Sequence, residues 1–301
     1  MDTPQAPPDK SEAAQLPGEQ EPLDRLPYLP LGMKETRYGN MIFLPHDRYI
    51  GRSLIQLGEF SYGEARLIEQ CLCPGMTALD VGAHIGALTL PMAKAAGKTG
   101  RVLAFEPQNV LYLLLCANMA LNNASRITCY RALVGNRTGK IKMPAIDYSA
   151  SDNFGGYGEE HFMAEGGQRE EGDDIIDLLT IDQLDLDACD FMKIDVEGME
   201  KKVLEGARET IKRFNPVMLI ENDRRLRAKG LIEYIEELDY KAYWHTPPLF
   251  NETNFAKNPE NNFSNIGSVN VLCVPRGTNA DVAGGARCTP EDAVHPACCQ
   301  D

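Results

Sequence analysis

Thr77-Ala78-Leu79-Asp80-Val81-Gly82-Ala83-His84-Ile85-Gly86-Ala87-Leu88-Thr89 is the stretch that decides the fold. It opens as a short apolar run suited to a buried parallel strand, breaks at a glycine-rich turn and resumes as an apolar helix. Gly82 and Gly86 admit positive φ and a close approach of the backbone to a ligand, and the helix that follows offers free N–H groups at its mouth. This is the layout of a nucleotide-cofactor turn. Its spacing, D-x-G-x-x-x-G, is not the G-x-G-x-x-G of a dinucleotide fold, and Asp80 would repel a pyrophosphate. The same spacing disfavours an NAD-dependent oxidoreductase. A positively charged cofactor without phosphates fits better, and S-adenosylmethionine, with its sulfonium and ammonium groups, is such a molecule.

On either side of this turn the chain alternates strand and helix patterns. Strands are expected at 78–81, 101–106, 127–134, 191–196, 217–221, 241–244 and 268–274, with a short edge strand at 175–180. Helices are expected at 85–96, 109–121, 199–213 and 227–238, and Pro91 requires either a kink or a place in the first helical turn. The alternation predicts an α/β, Rossmann-like fold with a mainly parallel seven-stranded sheet and helices on both faces. No clear helix separates the last two strands, so the final strand is expected to insert antiparallel. This main domain spans 77–275. Before it, 28–76 read as an N-terminal cap, with short strands over 38–44 and near Tyr49-Ile50 and an amphipathic helix over 63–73. Residues 1–27, rich in Pro, Gln, Glu and Ala, read as a disordered tail, and 276–301 as a flexible tail whose Cys288, His295, Cys298 and Cys299 match no zinc spacing.

Composition narrows the function. The 301 residues carry 43% hydrophobic content and a net charge of −14, which suits one large domain and disfavours nucleic acid as a partner. No run approaches the roughly 20 apolar residues of a membrane span, and the N-terminus lacks a signal-peptide layout, so a soluble cytoplasmic protein is expected. Nine scattered cysteines are read as reduced and mostly buried.

The candidate site residues fall at the carboxyl ends of the predicted strands. Glu106 ends the second strand and is placed to accept hydrogen bonds from both ribose hydroxyls. His84, in the glycine turn, is expected beside the cofactor. Lys193 and Asp195 lie two apart on a strand buried on both faces, where charges must be paired or functional. Asp195 or Glu197 is the candidate general base, while Glu200 also fits a helix first turn. Asp195, Glu221 and Asn222 could instead converge on Mg²⁺, which would acidify an acceptor hydroxyl, and the two readings stay open. Two polar segments, 149–174 with Asn153 and 245–267 with His245, are candidate lid or substrate loops.

These residues resemble the FkbM-type S-adenosylmethionine-dependent methyltransferases. The resemblance rests on LDVGAHIGALTL (79–90), GRVLAFEPQ (100–108), NFGG (153–156), MKIDVEGMEKKVLEGA (192–207) and NPVMLIEND (215–223), over roughly residues 58–223. It implies that Asp80, Gly82 and Gly86 line the methionine part of the cofactor and that Glu106 binds its ribose. It places Lys193, Asp195, Glu197 and Glu200 on the family signature and implies O-methylation of a glycan or natural-product hydroxyl. His84 stands where Asn is common in the family. The alternatives are N-methylation of a small molecule or peptide, and a non-catalytic cofactor-binding regulatory module.

Overall fold

The structure, a computed structural model, describes residues 29–158, 163–164, 174–278 and 285–290. The tail expected over 1–27, the residues His295, Cys298 and Cys299, and 159–162 and 165–173 of the expected lid lie outside them.

The N-terminal region is a hairpin, β1 (Gly32–Thr36) and β2 (Gly39–Phe43), followed by α1 (Ile50–Leu57) and α2 (Tyr62–Cys71). The strand expected near Tyr49-Ile50 is therefore the start of a helix. Asp47 explains this: its Oδ1 accepts the backbone N–H groups of Tyr49, Ile50 and Gly51 at 3.0, 2.6 and 3.1 Å, satisfying orphan donors of the first turn.

The main sheet begins with β3 (Thr77–Val81), α3 (Thr89–Ala96), β4 (Arg101–Phe105), α4 (Asn109–Leu121) and β5 (Ile127–Tyr130). The first of these helices starts later than residue 85. Gly86 sits at φ 87°, outside helical geometry, and the Thr89 hydroxyl donates to Asp80 Oδ2 at 2.6 Å, which ties the helix start to the strand tip. Pro91 thus occupies the first turn, where its missing N–H costs nothing.

The strand expected over 127–134 divides at Arg131, because β6 (Ala132–Val134) leaves for a second sheet. That sheet also holds β7 (Gly139–Lys142), β8 (Met163–Ala164) and β9 (Ile175–Leu179), in the order β6-β9-β7-β8. The strand expected at the edge over 175–180 is thus an inner one, paired on both sides.

The chain returns to the main sheet through β10 (Phe191–Ile194), α5 (Glu200–Glu205), α6 (Arg208–Phe214), β11 (Val217–Glu221) and α7 (Arg225–Glu237), then β12 (Tyr240–His245), β13 (Asn270–Pro275) and β14 (Arg287–Cys288). The helix expected over 199–213 is two helices. Asp182 caps the second, accepting the N–H groups of Glu209 and Thr210 at 3.1 and 2.8 Å.

The eight strands run β14-β12-β13-β11-β10-β3-β4-β5. β13 inserts antiparallel between β11 and β12, as the missing helix implied, and Arg287–Cys288 adds a short eighth strand to the seven expected. One face of the sheet packs Leu79, Met192, Ile194 and Ile220 under α5, α6 and α7. The other packs Ala78, Phe191 and Leu219 under α2, α3 and α4. From β3 the chain winds outward to β4 and β5, then restarts on the other side of β3 with β10, so the carboxyl ends of β3 and β10 form the topological switch point where ligands bind in such sheets.

The junction between α5 and α6 is tight: a Cβ on Gly206 would lie 2.0 Å from the Gly135 carbonyl oxygen. Gly206→Ala should therefore lower stability by about 1–3 kcal/mol in urea unfolding. An unchanged midpoint would contradict this packing.

Candidate active site

Lys193 organises the switch point. It is 4% exposed, and its Nζ lies 3.0 Å from the Gly82 carbonyl oxygen, 3.1 Å from Asp195 Oδ2 and 3.5 Å from Asp80 Oδ1. Burial alone would favour loss of its proton, but the Asp195, Asp80 and Glu64 carboxylates more than reverse this and hold the ammonium charged. Asp80 is wholly buried; burial raises its carboxyl pKa, while Lys193 and the Thr89 hydroxyl oppose that rise. Asp80 is not among the residues of the cavity wall; its contacts are with Lys193 and with Thr89 at the start of α3.

The two glycines of the turn differ in what surrounds them. At Gly82, with φ 84°, a Cβ would lie 1.8 Å from the Asp195 carbonyl oxygen, so only glycine lets the β3 and β10 tips meet. At Gly86 a Cβ would meet Met119 Cε at 2.6 Å and Leu115 Cδ1 at 2.9 Å, which places this residue against α4 rather than on the cavity wall.

Glu106 is fixed from two sides. Its Oε2 accepts the His84 backbone N–H and its Oε1 the Gln108 backbone N–H, both at 2.9 Å. Burial raises its carboxyl to about 7 against the pull of these two donors. Each oxygen keeps lone-pair capacity for a further donor. His84 adopts φ 51°, and its ring Nε2 lies 3.6 Å from Asp47 Oδ2. Burial lowers the imidazole pKa.

These residues open on a cavity of about 500 Å³, within the usual range for small-molecule sites. Gly82, His84, Glu106, Lys193, Asp195, Glu197 and Glu221 line it. Asn153, Gly155 and Tyr157, and Leu249 with the chain from Asn265 to Asn270, also line it, so both expected loops contribute. Glu197, at φ 53°, pairs with Arg224; burial and then Asp195 raise its carboxyl to about 8 while Arg224 opposes them. Glu200 lies outside the wall, its Oε1 accepting the N–H groups of Val196 and Gly198 at 3.2 and 2.9 Å.

Two expected site residues stand elsewhere. Asn222 is buried off the cavity wall, its N–H bonded to the Val269 carbonyl at 2.8 Å. His245 ends β12 beside Asn270, off the cavity wall. Three acids converge, Asp195, Glu197 and Glu221, with carboxylate oxygens within 4.8 Å of one another.

The structure also brings in residues that the sequence reading missed. Glu64, 4% exposed, reaches the cavity from α2 and accepts from Ser61 at 2.5 Å and from Ser268. In sequence, Ser61-Tyr62-Gly63-Glu64 is indistinguishable from a capping box. Arg224 lies just beyond the tip of β11 and pairs with Glu197, and Gln108 anchors the 153–156 segment by donating to the Phe154 carbonyl at 2.6 Å.

The donor set fits the expected cofactor. Two rigidly held carboxylate oxygens on Glu106 suit a ribose diol, and the Gly82 backbone lines the same cavity. A Rossmann-like sheet with such a turn at its switch point is that of the class I S-adenosylmethionine-dependent methyltransferases. Residues 80–242 match the model described as Methyltransferase FkbM domain, and the chain belongs to that family.

Among solved structures, methyltransferase FkbM from Methylobacillus flagellatus KT is similar at 20% identity and a TM-score of 0.43, over 75% of this chain and 55% of that one. This chain thus spans little more than half of that protein's length. The O-methyltransferase TomG from Streptomyces achromogenes, in complex with SAM, is similar at 12% identity and a TM-score of 0.43, over 72% of this chain and 81% of that one. An O-methyltransferase from Bacillus cereus, in complex with SAH, gives 13% identity and a TM-score of 0.41, over 71% and 81%. No curated protein sequence matches the chain.

A carboxyl raised from 4.5 to about 7 favours the fold in its neutral form, so its contribution is full below pH 4.5 and is lost as pH rises through 7. The stability of Glu106→Gln relative to the ligand-free wild type should therefore climb over that window, by up to about 1.4 kcal/mol per pH unit. Parallel pH profiles in chemical unfolding would contradict the shift.

Proposed function

We propose that this protein transfers a methyl group from S-adenosylmethionine to a hydroxyl of a glycan or a small natural product, with Asp195 as the group that takes the hydroxyl proton. The observation that carries this reading is the placement of Asp195. It lies on the cavity wall at the switch point, its side chain 35% exposed, with Oδ2 against Lys193. Lys193 fixes the carboxylate, and Oδ1 orients and accepts the proton. Gly82 and Glu106 hold the cofactor, and when bound it supplies an electrophilic methyl group. The walls exclude water and bring the acceptor oxygen in line, so that positioning supplies much of the rate.

A second reading, Mg²⁺ held by the acidic trio with Asp195 and Glu221 as ligands, is favoured by the convergence of Asp195, Glu197 and Glu221. Arg224 on Glu197 supports the metal-free reading, because a cation already neutralises that arm of the trio. No described helix is long and apolar enough to cross a membrane. The seven described cysteines are free, which supports a reducing compartment such as the cytoplasm.

Calorimetry and turnover separate these readings from their rivals. S-adenosylhomocysteine should bind the wild type, and Glu106→Ala should weaken it tenfold or more. Asp195→Asn should keep that affinity within about threefold yet lose about 10²–10⁴-fold in turnover, the usual contribution of a positioned base. Tight NAD binding, or intact turnover in Asp195→Asn, would overturn the assignment. EDTA should leave activity unchanged; loss of turnover with rescue by Mg²⁺ would favour the metal reading, and a product methylated on nitrogen would favour N-methyl transfer.

A further inference from the structure

The carboxyl edge of the sheet continues past the cofactor crevice into a part of the cavity that methyl transfer itself does not use. Glu221, the last residue of β11, stands directly across the antiparallel ladder from Asn270, the first residue of β13. Residues so paired project their side chains from the same face, side by side. Both line the cavity. Asn270 is 3% exposed, and its Nδ2 and the Glu221 Oε2 atom are each closed to solvent without a hydrogen-bond partner. Buried polar atoms are otherwise satisfied as a rule, so an adjacent pair of orphans marks a place where a ligand completes the bonding.

Charge points the same way. Extending the β10–β11 register by one residue sets Asp195 beside Glu221, and the carboxylates of Asp195, Glu197 and Glu221 lie within 4.8 Å of one another. The cations of this wall are engaged, Lys193 with Gly82, Asp80 and Asp195, and Arg224 with Glu197. Burial, then Asp195, Asp223 and Glu197, raise the Glu221 carboxyl well above its ordinary range, as expected where a carboxylate lacks its counter-charge.

We propose that this end of the cavity binds a primary ammonium group of the methyl acceptor. Glu221 takes the charge, and Asn270 donates to a neighbouring oxygen. The acceptor is then an amino alcohol, such as an amino sugar or an aminated natural product, a refinement that rests on the methyl-transfer reading above. Held as an ammonium, the nitrogen has no lone pair to attack with, which leaves the hydroxyl as the methylated atom.

The cofactor also carries an ammonium, and the test separates the two sources. Wild-type protein saturated with S-adenosylhomocysteine is titrated calorimetrically with glucosamine hydrochloride, glucose and MgCl₂. Glucosamine should bind at least tenfold tighter than glucose. Glu221→Gln should abolish that preference and leave the S-adenosylhomocysteine Kd within twofold. If Glu221→Gln does not fold, Asn270→Ala, which should weaken glucosamine several-fold, reads the same site. Equal affinity for the two sugars overturns the proposal. So does a Glu221-dependent fall in S-adenosylhomocysteine affinity, which would assign the site to the cofactor, or displacement of glucosamine by MgCl₂. Failure of S-adenosylhomocysteine to bind the wild type would defeat the methyl-transfer reading instead.

Discussion

The buried ammonium of Lys193 is the constraint on which the site depends. It stands opposite Asp80 in the β3–β10 register, and its Nζ reaches the Gly82 carbonyl 3.0 Å away. One side chain thus joins the two strand tips, the glycine turn and the Asp195 carboxylate. Burying such a cluster is expensive: removing one partner of a buried pair typically costs about 3–5 kcal/mol, whereas replacing the whole set with apolar residues is often neutral or stabilising. Fold stability alone therefore gives no reason for these charges, and a function at the switch point does.

Around Lys193 the acids differ in their surroundings. Glu106 is clamped by two backbone donors and lines the cavity. Asp195 is held by an ammonium and is partly open to the cavity. Glu197 is tied to Arg224, and Glu221 faces like charges beside Asn270. Burial raises the carboxyls of Glu106, Glu197 and Glu221, and neighbouring carboxylates push the last two further.

What was legible in the sequence depended on the range of the interaction that decides it. The parallel strands, the switch-point turn and the antiparallel β13 followed from local patterns, because apolar runs and glycines act within a few residues. The start of α3 did not, since it is set by the Thr89 to Asp80 hydrogen bond and the φ of Gly86. Tyr49-Ile50 looked like a strand because the three bonds that turn it into a helix all end on Asp47. Within the site, Lys193 and Asp195 stood out because charge on a buried strand is unusual. Glu64 did not, because its capping-box spacing hides a contact made with Ser268, over two hundred residues away.

The most direct test of this account is a crystal structure of the protein with S-adenosylhomocysteine. The account predicts the ribose hydroxyls within hydrogen-bonding distance of the Glu106 carboxylate, the homocysteine over Gly82, and the sulfur facing Asp195 across the cavity. A ligand seated elsewhere, or one whose ribose avoids Glu106 while Asp195 points away from the sulfur, would contradict it.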